Sequence, residues 1–155
     1  MFKISKMTDY GTVVLAHLSD DENRPIAASE IAGQTGLGVA TVSKLLKAMA
    51  HAGLVSARRG ATGGYSLARS ADDISAAEII DAIEGPVAIT ECATDGHACE
   101  LEPVCGVGSQ WQQINTSIRR ALSHISLTDL KGERSLPNEM PLLPIDQILH
   151  KDTLR

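Results

Sequence analysis

The chain has 155 residues, 43% of them hydrophobic and only 3% aromatic, and its formal net charge is −5. This is the composition of one globular domain, or one domain with an appendage, whose core is built from aliphatic side chains. No apolar run approaches the ~20 residues of a membrane span, and the first residues lack the apolar segment of a secretory signal. We therefore expect a cytoplasmic protein without a membrane partner.

The two halves of the chain carry opposite charge. Residues 1–70 contain eight Lys and Arg against five Asp and Glu, whereas residues 71–155 contain six against fourteen. The stretch 38–69 contains no acidic residue at all. Local positive charge of this kind favours a nucleic-acid-binding surface even when the whole chain is acidic.

The first predicted helix begins near residue 8, where Thr8 or Asp9 is a candidate N-cap. Its apolar residues recur at spacings of three and four, which predicts one buried face made of Tyr10, Val13, Val14 and Leu18. A polar turn at residues 19–23 ends this helix, and Pro25 keeps the chain extended before the next one.

A helix-turn-helix is predicted at residues 28–52. A short helix with Ser29 as its candidate N-cap stops at Gly36, and a longer helix runs from about Ala40 to Ala52, with Gly53 as its C′ residue. Two helices joined by a short glycine-containing turn are typical of this motif. The second helix presents small polar and cationic side chains opposite its apolar face, as a recognition helix does: Thr41, Ser43, Lys44 and Lys47.

A β-hairpin is predicted directly after the recognition helix. Residues 54–59 and 65–68 favour strands, and the glycine-rich segment between them favours a turn. Arg58 and Arg59 precede the tip, and arginine suits phosphate or a narrow minor groove. Gly63 and Gly64 would allow the backbone to approach DNA closely. The order of elements over residues 1–70 predicts a winged helix-turn-helix, mainly α with a small β-hairpin.

Residues 71–130 are predicted to contain two more helices around a loop. Ser75 is the candidate N-cap of a helix over residues 76–83, which Gly85-Pro86 ends. A long helix from Ser109 to about Ile125 carries an apolar stripe that favours a homodimer, because DNA-binding dimers bind paired half-sites. The stripe consists of Trp111, Ile114, Ile118, Leu122 and Ile125. Residues 131–155 are predicted to be a mostly irregular tail.

All three cysteines of the chain, Cys92, Cys99 and Cys105, lie in one polar segment at residues 90–108. An odd number of cysteines in a reducing compartment argues against a disulfide framework. Three thiolates at these spacings suit an iron–sulfur cluster, whereas structural zinc prefers closer pairs and four protein ligands. Structural zinc, a cluster-free thiol switch and three buried apolar cysteines remain alternatives.

The motifs of common enzyme classes are missing from the sequence. It has no P-loop, no nucleophile elbow and no H-E-x-x-H segment. We therefore do not expect an enzyme.

Four segments within residues 1–130 resemble the iron–sulfur winged-helix transcription regulators. They are the opening Ile4-Ser5-Lys6-Met7-Thr8-Asp9-Tyr10-Gly11, the segment Gly53-Leu54-Val55-Ser56, the wing at residues 59–67, and the three-cysteine loop followed by Trp111. That family contains the IscR type, the SUF-system regulators and the nitric-oxide sensor NsrR, and the opening looks most like the SUF-system regulators. The resemblance implies a homodimer that binds double-stranded promoter DNA and represses cluster-assembly genes.

The resemblance also implies the ligands of a cluster in each subunit. The family's three cysteine ligands correspond to the three cysteines of the loop. The IscR type takes its fourth ligand from a histidine at a position that is Gly108 here, so that ligand is not carried over. The aspartate that the nitric-oxide sensor takes from its partner subunit corresponds to Asp9, which is also a candidate N-cap. His97, inside the loop, is a further candidate.

Some properties stay open at the level of sequence. A [2Fe-2S] cluster is favoured and a [4Fe-4S] cluster is possible. Ser43 stands where the IscR type has a glutamate that discriminates between sites, so that site preference is not carried over. A cluster-based nitric-oxide or redox sensor of the same fold is one alternative function. A thiol-based or zinc-binding redox protein that binds no DNA is the other.

Overall fold

A computed structural model of the chain describes residues 3–21, 24–60, 62–90 and 107–132. The predicted cysteine ligands and nearly all of the predicted tail lie outside these residues. Within them, a two-stranded hairpin follows three helices, as predicted, and precedes three more, of which the sequence predicts two. The elements are α1 (Lys6–Asp20), α2 (Ala28–Thr35), α3 (Val39–His51), β1 (Val55–Arg58), β2 (Gly64–Leu67), α4 (Ala76–Glu84), α5 (Gly108–Ser123) and α6 (Leu127–Leu130), with a 3-10 turn at Ala71–Asp73.

Helix α1 begins one turn earlier than the sequence pattern predicts. Ser5 is its N-cap, and the Ser5 hydroxyl accepts a hydrogen bond from the Thr8 N–H at 3.3 Å. The prediction of Thr8 or Asp9 as the cap was therefore wrong. Val13 was also misassigned, because it lies beside the buried stripe and is 42% exposed. The buried residues of α1 are Thr8, Gly11, Val14, Leu15 and Leu18.

The helix-turn-helix has the predicted elements with small differences at their ends. Helix α2 begins at Ala28 without a side-chain cap, so the predicted cap at Ser29 was wrong. Gly36, with φ of 73°, ends α2, and Gly53, with φ of 74°, follows the C-cap of α3 as predicted. Both positions need the left-handed backbone that glycine adopts without strain. The buried face of α3 consists of Val42, Leu45, Leu46 and Met49.

The hairpin is attached to the segment before α2. Strands β1 and β2 are antiparallel, with Val55 opposite Leu67. Ile26 and Tyr65 exchange two backbone hydrogen bonds of 2.8 Å, so Ile26 lies against the outer side of β2. A Cβ atom at Gly64 would come within 2.7 Å of the Ile26 backbone. Gly64 therefore has a packing role, in addition to any role at DNA.

One hydrophobic core includes residues from both sides of residue 70. Helix α4 packs against α1 and α3, and α6 packs against α1 and the 3-10 turn. Ile74 and Leu127 are completely buried in this core, and the Leu127 N–H donates to the Ile74 carbonyl at 2.8 Å. The division into residues 1–70, 71–130 and 131–155 therefore remains a prediction of which part of the chain binds DNA, which part binds the cluster and forms the dimer, and which part is a tail.

The sequence pattern located helix α4 and the long helix α5 but missed α6. Ser75 caps α4 in a capping box with Glu78, as the candidate cap predicted. Ser126 and Asp129 form a second capping box at the start of α6. Among the described residues, no helix is long and apolar enough to cross a membrane.

We predict that Gly64→Ala lowers the free energy of unfolding by about 1–3 kcal/mol, because the new methyl group overlaps the Ile26 backbone. Urea denaturation followed by circular dichroism measures the change. Gly33→Ala is the matched control, since Gly33 lies in α2 with no atom near its missing Cβ, and it should be neutral or stabilising. Equal stability of the Gly64 variant and wild type would contradict the packing role.

Candidate DNA interface and cluster site

The outward face of α3 is polar and basic. Lys44 and Lys47 are exposed on the side opposite the buried residues, and Thr41 and Ser43 are half-buried at its flanks. In the part of the chain that the structure describes, neither lysine is in an ion pair. Both cations are therefore available to phosphate groups, whose contacts supply most of the sequence-independent affinity for DNA.

The wing arginines are also unpaired within the described ranges. Arg58 ends β1, Arg59 follows it, and both side chains are exposed. Arg69, the next arginine along the chain, is occupied by an ion pair with Glu78. The structure thus distinguishes two arginines that are free to reach DNA from one that is held against α4.

The glycines of the wing are needed by the turn itself. The Gly63 N–H donates to the Gly60 carbonyl at 3.0 Å, and a Cβ atom at Gly63 would overlap the Arg58 carbonyl. Gly60 has a φ of 114°, which disfavours any other residue. The predicted DNA contact of Gly63 and Gly64 remains a prediction, but their conformation already has a local cause.

A carboxylate joins the start of α1 to the end of α4. Glu84 accepts hydrogen bonds from the Thr8 hydroxyl and, at 3.0 Å, from the Ser5 N–H. The bond from Thr8, followed by that from Ser5, holds the pKa of the Glu84 carboxyl below its usual range. Asp9 lies in the next part of α1 with an exposed side chain. Because Ser5 is the N-cap, Asp9 is not needed as one.

The backbone that leads into the cysteine segment is fixed by three side chains, which we call the loop-root latch: Asp81, Asn115 and Arg119. The Val87 N–H donates to Asp81 Oδ1 at 3.1 Å, and the Ile89 N–H donates to Asn115 Oδ1 at 3.2 Å. Arg119 donates to both carboxylate oxygens of Asp81, with Nη1–Oδ1 at 3.0 Å. The latch therefore connects the start of the cysteine segment to both α4 and α5.

The apolar stripe of α5 is only partly covered by the described residues. Trp111 is 40% exposed and Ile114 is 45% exposed, and Val107, just before the helix, is 57% exposed. Ile118 and Leu122 are half-buried. An exposed aromatic and aliphatic surface at the start of a long helix suits the predicted contact with a second subunit.

Residues 4–133 match the Rrf2 family, described as an iron-dependent transcriptional regulator. The chain belongs to the Rrf2 family. Its relatives are transcriptional regulators, which confirms the expectation that it is not an enzyme. The resemblance to winged-helix regulators of the IscR and NsrR type is confirmed at the level of this family, whereas the closer likeness to SUF-system regulators stays a prediction.

Individual Rrf2 proteins are similar to the chain over most of their length. Protein rrf2 of Nitratidesulfovibrio vulgaris is 30% identical over 135 residues, which are 86% of this chain and 90% of the relative. The structure of CymR, the global cysteine regulator of B. subtilis, aligns with a TM-score of 0.65 at 28% identity, covering 86% of this chain and 99% of CymR. The structure of T. potens IscR aligns with a TM-score of 0.62 at 28% identity, covering 89% and 94%. These matches confirm the winged-helix fold.

Local sequence patterns indicate the candidate DNA-contacting residues but not the residues that hold the helices together. The predicted DNA-contacting residues of α3 and the wing lie on one helix face and one hairpin. The latch residues and Glu84 were missed, because each has a partner 26 to 79 residues away along the chain and no local pattern indicates these contacts. Within the described ranges, no cluster of three or more His, Cys, Asp or Glu could hold a metal ion, and the cysteines lie outside those ranges.

We predict that Arg119→Ala loosens the start of the cysteine segment, because it removes the bidentate partner of Asp81. Stability should fall by about 1 kcal/mol, since the pair is partly exposed. Hydrogen exchange at the Val87 and Ile89 amides should become faster. The neighbouring Arg120 is exposed and its alanine variant is the control. Equal exchange rates in both variants would show that the latch does not hold this segment.

A pH dependence follows from Glu84. Because its folded-state pKa is lowered, the stability that it contributes is fully present above the pKa of the unfolded chain and is lost as pH falls through the folded-state pKa. We predict that Glu84→Gln is less stable than wild type at pH 7 and that the difference disappears toward pH 3. Urea unfolding at the two pH values measures it, with Asp73→Asn as a control for charge alone. A difference that is unchanged at pH 3 would rule out the charged form as the cause.

Proposed function

We propose that the protein is a homodimeric Rrf2 repressor of cluster-assembly genes whose DNA affinity depends on an iron–sulfur cluster. The cluster would be held by Cys92, Cys99 and Cys105, with Asp9 as the fourth ligand. The observation that carries this proposal is the position of the three cysteines in a segment that starts at the loop-root latch. The description of the family as iron-dependent and the likeness to T. potens IscR support it. A regulator of promoters acts where the chromosome is, in agreement with the predicted cytoplasmic location.

The donor set fits such a cluster. Cysteine thiolates are the usual ligands of iron–sulfur clusters, and the three of this chain are all in one segment of 16 residues between the described parts of the chain. The Asp9 carboxylate is exposed and is not used as a helix cap, since Ser5 caps α1. A bound [2Fe-2S] cluster with one oxygen ligand would be readily lost from the protein, which suits a sensor of cluster supply.

DNA binding is assigned to α3 and the wing. Lys44, Lys47, Arg58 and Arg59 are exposed cations without acidic partners in the described residues, and Thr41 and Ser43 offer hydroxyl groups on the same helix. Helix α3 would lie in the major groove and the wing against the backbone or the minor groove. A dimer formed through α5 would present two such units to paired half-sites.

The loop-root latch is the proposed coupling between the two functions. Asp81 belongs to α4, which packs on the recognition helix, and Arg119 and Asn115 belong to α5. A change in the order of the cysteine segment acts first on this latch and then on the dimer surface of α5. The change in DNA affinity can equal only the difference in stabilisation between the two arrangements.

A second candidate is a regulator that responds to cysteine or to thiol oxidation. The likeness to CymR, a cysteine regulator by its description, is as close as the likeness to IscR. Such a protein would use the same winged helix without requiring a cluster. The presence of iron and acid-labile sulfide separates the two candidates, and zinc in their place would indicate a structural metal.

We predict that the protein purified without oxygen is coloured and contains iron and sulfide in equal amounts. Each of Cys92→Ala, Cys99→Ala and Cys105→Ala should lose most of the visible absorbance. Asp9→Ala should keep iron but show a changed visible spectrum, with Asp73→Ala as the control. Stoichiometric zinc in a colourless protein would overturn the cluster, and an unaltered spectrum would eliminate Asp9 alone.

We predict that replacing both Arg58 and Arg59 by alanine weakens binding to all duplex DNA and reduces the slope of log K against log [salt] by about 2 for each bound subunit, or about 4 for the dimer. Arg69→Ala is the matched control, because that arginine is paired with Glu78 and should have little effect. Titrations of duplexes selected from a random pool, at several salt concentrations, measure both quantities. An unchanged slope in the double variant would remove the wing from the interface.

A further inference from the structure

Apart from its two lysines, the recognition helix lacks the long polar side chains that usually read bases. Helix α3 has the sequence VATVSKLLKAMAH, without arginine, asparagine, glutamine, aspartate or glutamate. Guanine is usually read by arginine or lysine, adenine by asparagine or glutamine, and cytosine by an acidic residue. From α3, hydrogen-bonded readout is therefore restricted to the lysines and the hydroxyls of Thr41 and Ser43. The remaining feature of the major groove is the thymine methyl group, which is read by apolar contact.

An apolar side chain is present where α3 would meet the bases. Val39 is the first residue of α3 and is 52% exposed. Its neighbours Gly38 and Ala40 are small and exposed, so no long side chain keeps this end of the helix away from a surface. In a helix-turn-helix, the N-terminal residues of the second helix contact the base edges.

Among the described residues, Val39 does not belong to the hydrophobic core. The residues that α3 contributes to the buried core are Val42, Leu45, Leu46 and Met49, and Val39 lies outside that set. A single exposed valine is common on protein surfaces, and Val13 on α1 is another at 42%. Only Val39, however, is at the DNA-facing end of the recognition helix. Its β-branched side chain has few rotamers, so its methyl groups have a defined position.

We propose that Val39 is a specificity-determining residue that contacts the C5-methyl group of one thymine in each half-site. Lys44 and Lys47 hold the helix on the phosphates, and Val39 selects an A·T pair at a fixed position. The inference rests on the DNA-binding part of the proposed function and is independent of the cluster.

Deoxyuridine lacks only the methyl group of thymine and therefore tests this contact directly. Full-length protein, purified without oxygen, is first used to select duplexes from a random pool. Each thymine of the selected site is then replaced in turn by deoxyuridine. Wild-type protein should lose about fourfold in affinity at one position per half-site, the effect of exposing roughly one methyl group, and little elsewhere.

The variant Val39→Ala should bind the thymine site about fourfold more weakly per half-site and should not distinguish thymine from deoxyuridine at that position. The two changes should therefore be non-additive. Val13→Ala is the matched control and should keep the full preference for thymine. Both substitutions are at exposed positions, where alanine favours the helix.

The outcomes separate this inference from the proposed function. If each deoxyuridine replacement lowers the affinity of Val39→Ala and of wild type by the same factor, the role of Val39 is overturned. DNA binding itself is unaffected by that result. Enrichment of no duplex at all would overturn DNA binding, and the role of Val39 with it.

Discussion

Helix α4 is the element through which the parts of the chain are connected. It packs on α1 and α3, and Gly11 of α1 lets the two helices approach so closely that a Cβ there would overlap the tip of Ile83. Its carboxylates bind two of the three helices that contact it: Glu84 binds the start of α1, and Asp81 binds Arg119 of α5. Removing α4 would expose the core of the DNA-binding part and separate it from α5 at the same time.

The same carboxylates explain how an acidic chain can present a basic surface. All three acidic residues of α4 have partners inside the chain: Glu78 with Arg69, Asp81 with Arg119, and Glu84 with the start of α1. Their negative charges are therefore held by partners within the chain. The cations of α3 and the wing lie in a stretch without acidic residues, and screening limits the repulsion that distant charges exert on DNA.

The sequence predicts the fold well because the winged helix is determined by local patterns. Helical spacing, the turn glycines and the hairpin composition place seven of the described helices and strands. Caps are less certain, since Ser5, Thr8 and Asp9 are all good cap residues within one turn and only a tertiary contact selects Ser5. The bridge of Ile26 with Tyr65, like the latch, joins distant residues, and no spacing along the chain encodes such contacts.

Asp9, the proposed fourth ligand, lies in α1, the helix whose start is bound by Glu84 of α4. Helix α4 ends at its C-cap Gly85, which has a φ of 91°, and the cysteines follow later in the chain. The proposed ligand Asp9 thus lies on α1, and the three proposed cysteine ligands follow α4 in the chain, so that the contact between Glu84 and the start of α1 connects the two segments. In the proposed function, loss of the Asp9 carboxylate from the cluster would remove a constraint on α1 close to the turn that Glu84 holds. The recognition helix α3 packs on both α1 and α4, the two helices that this contact connects.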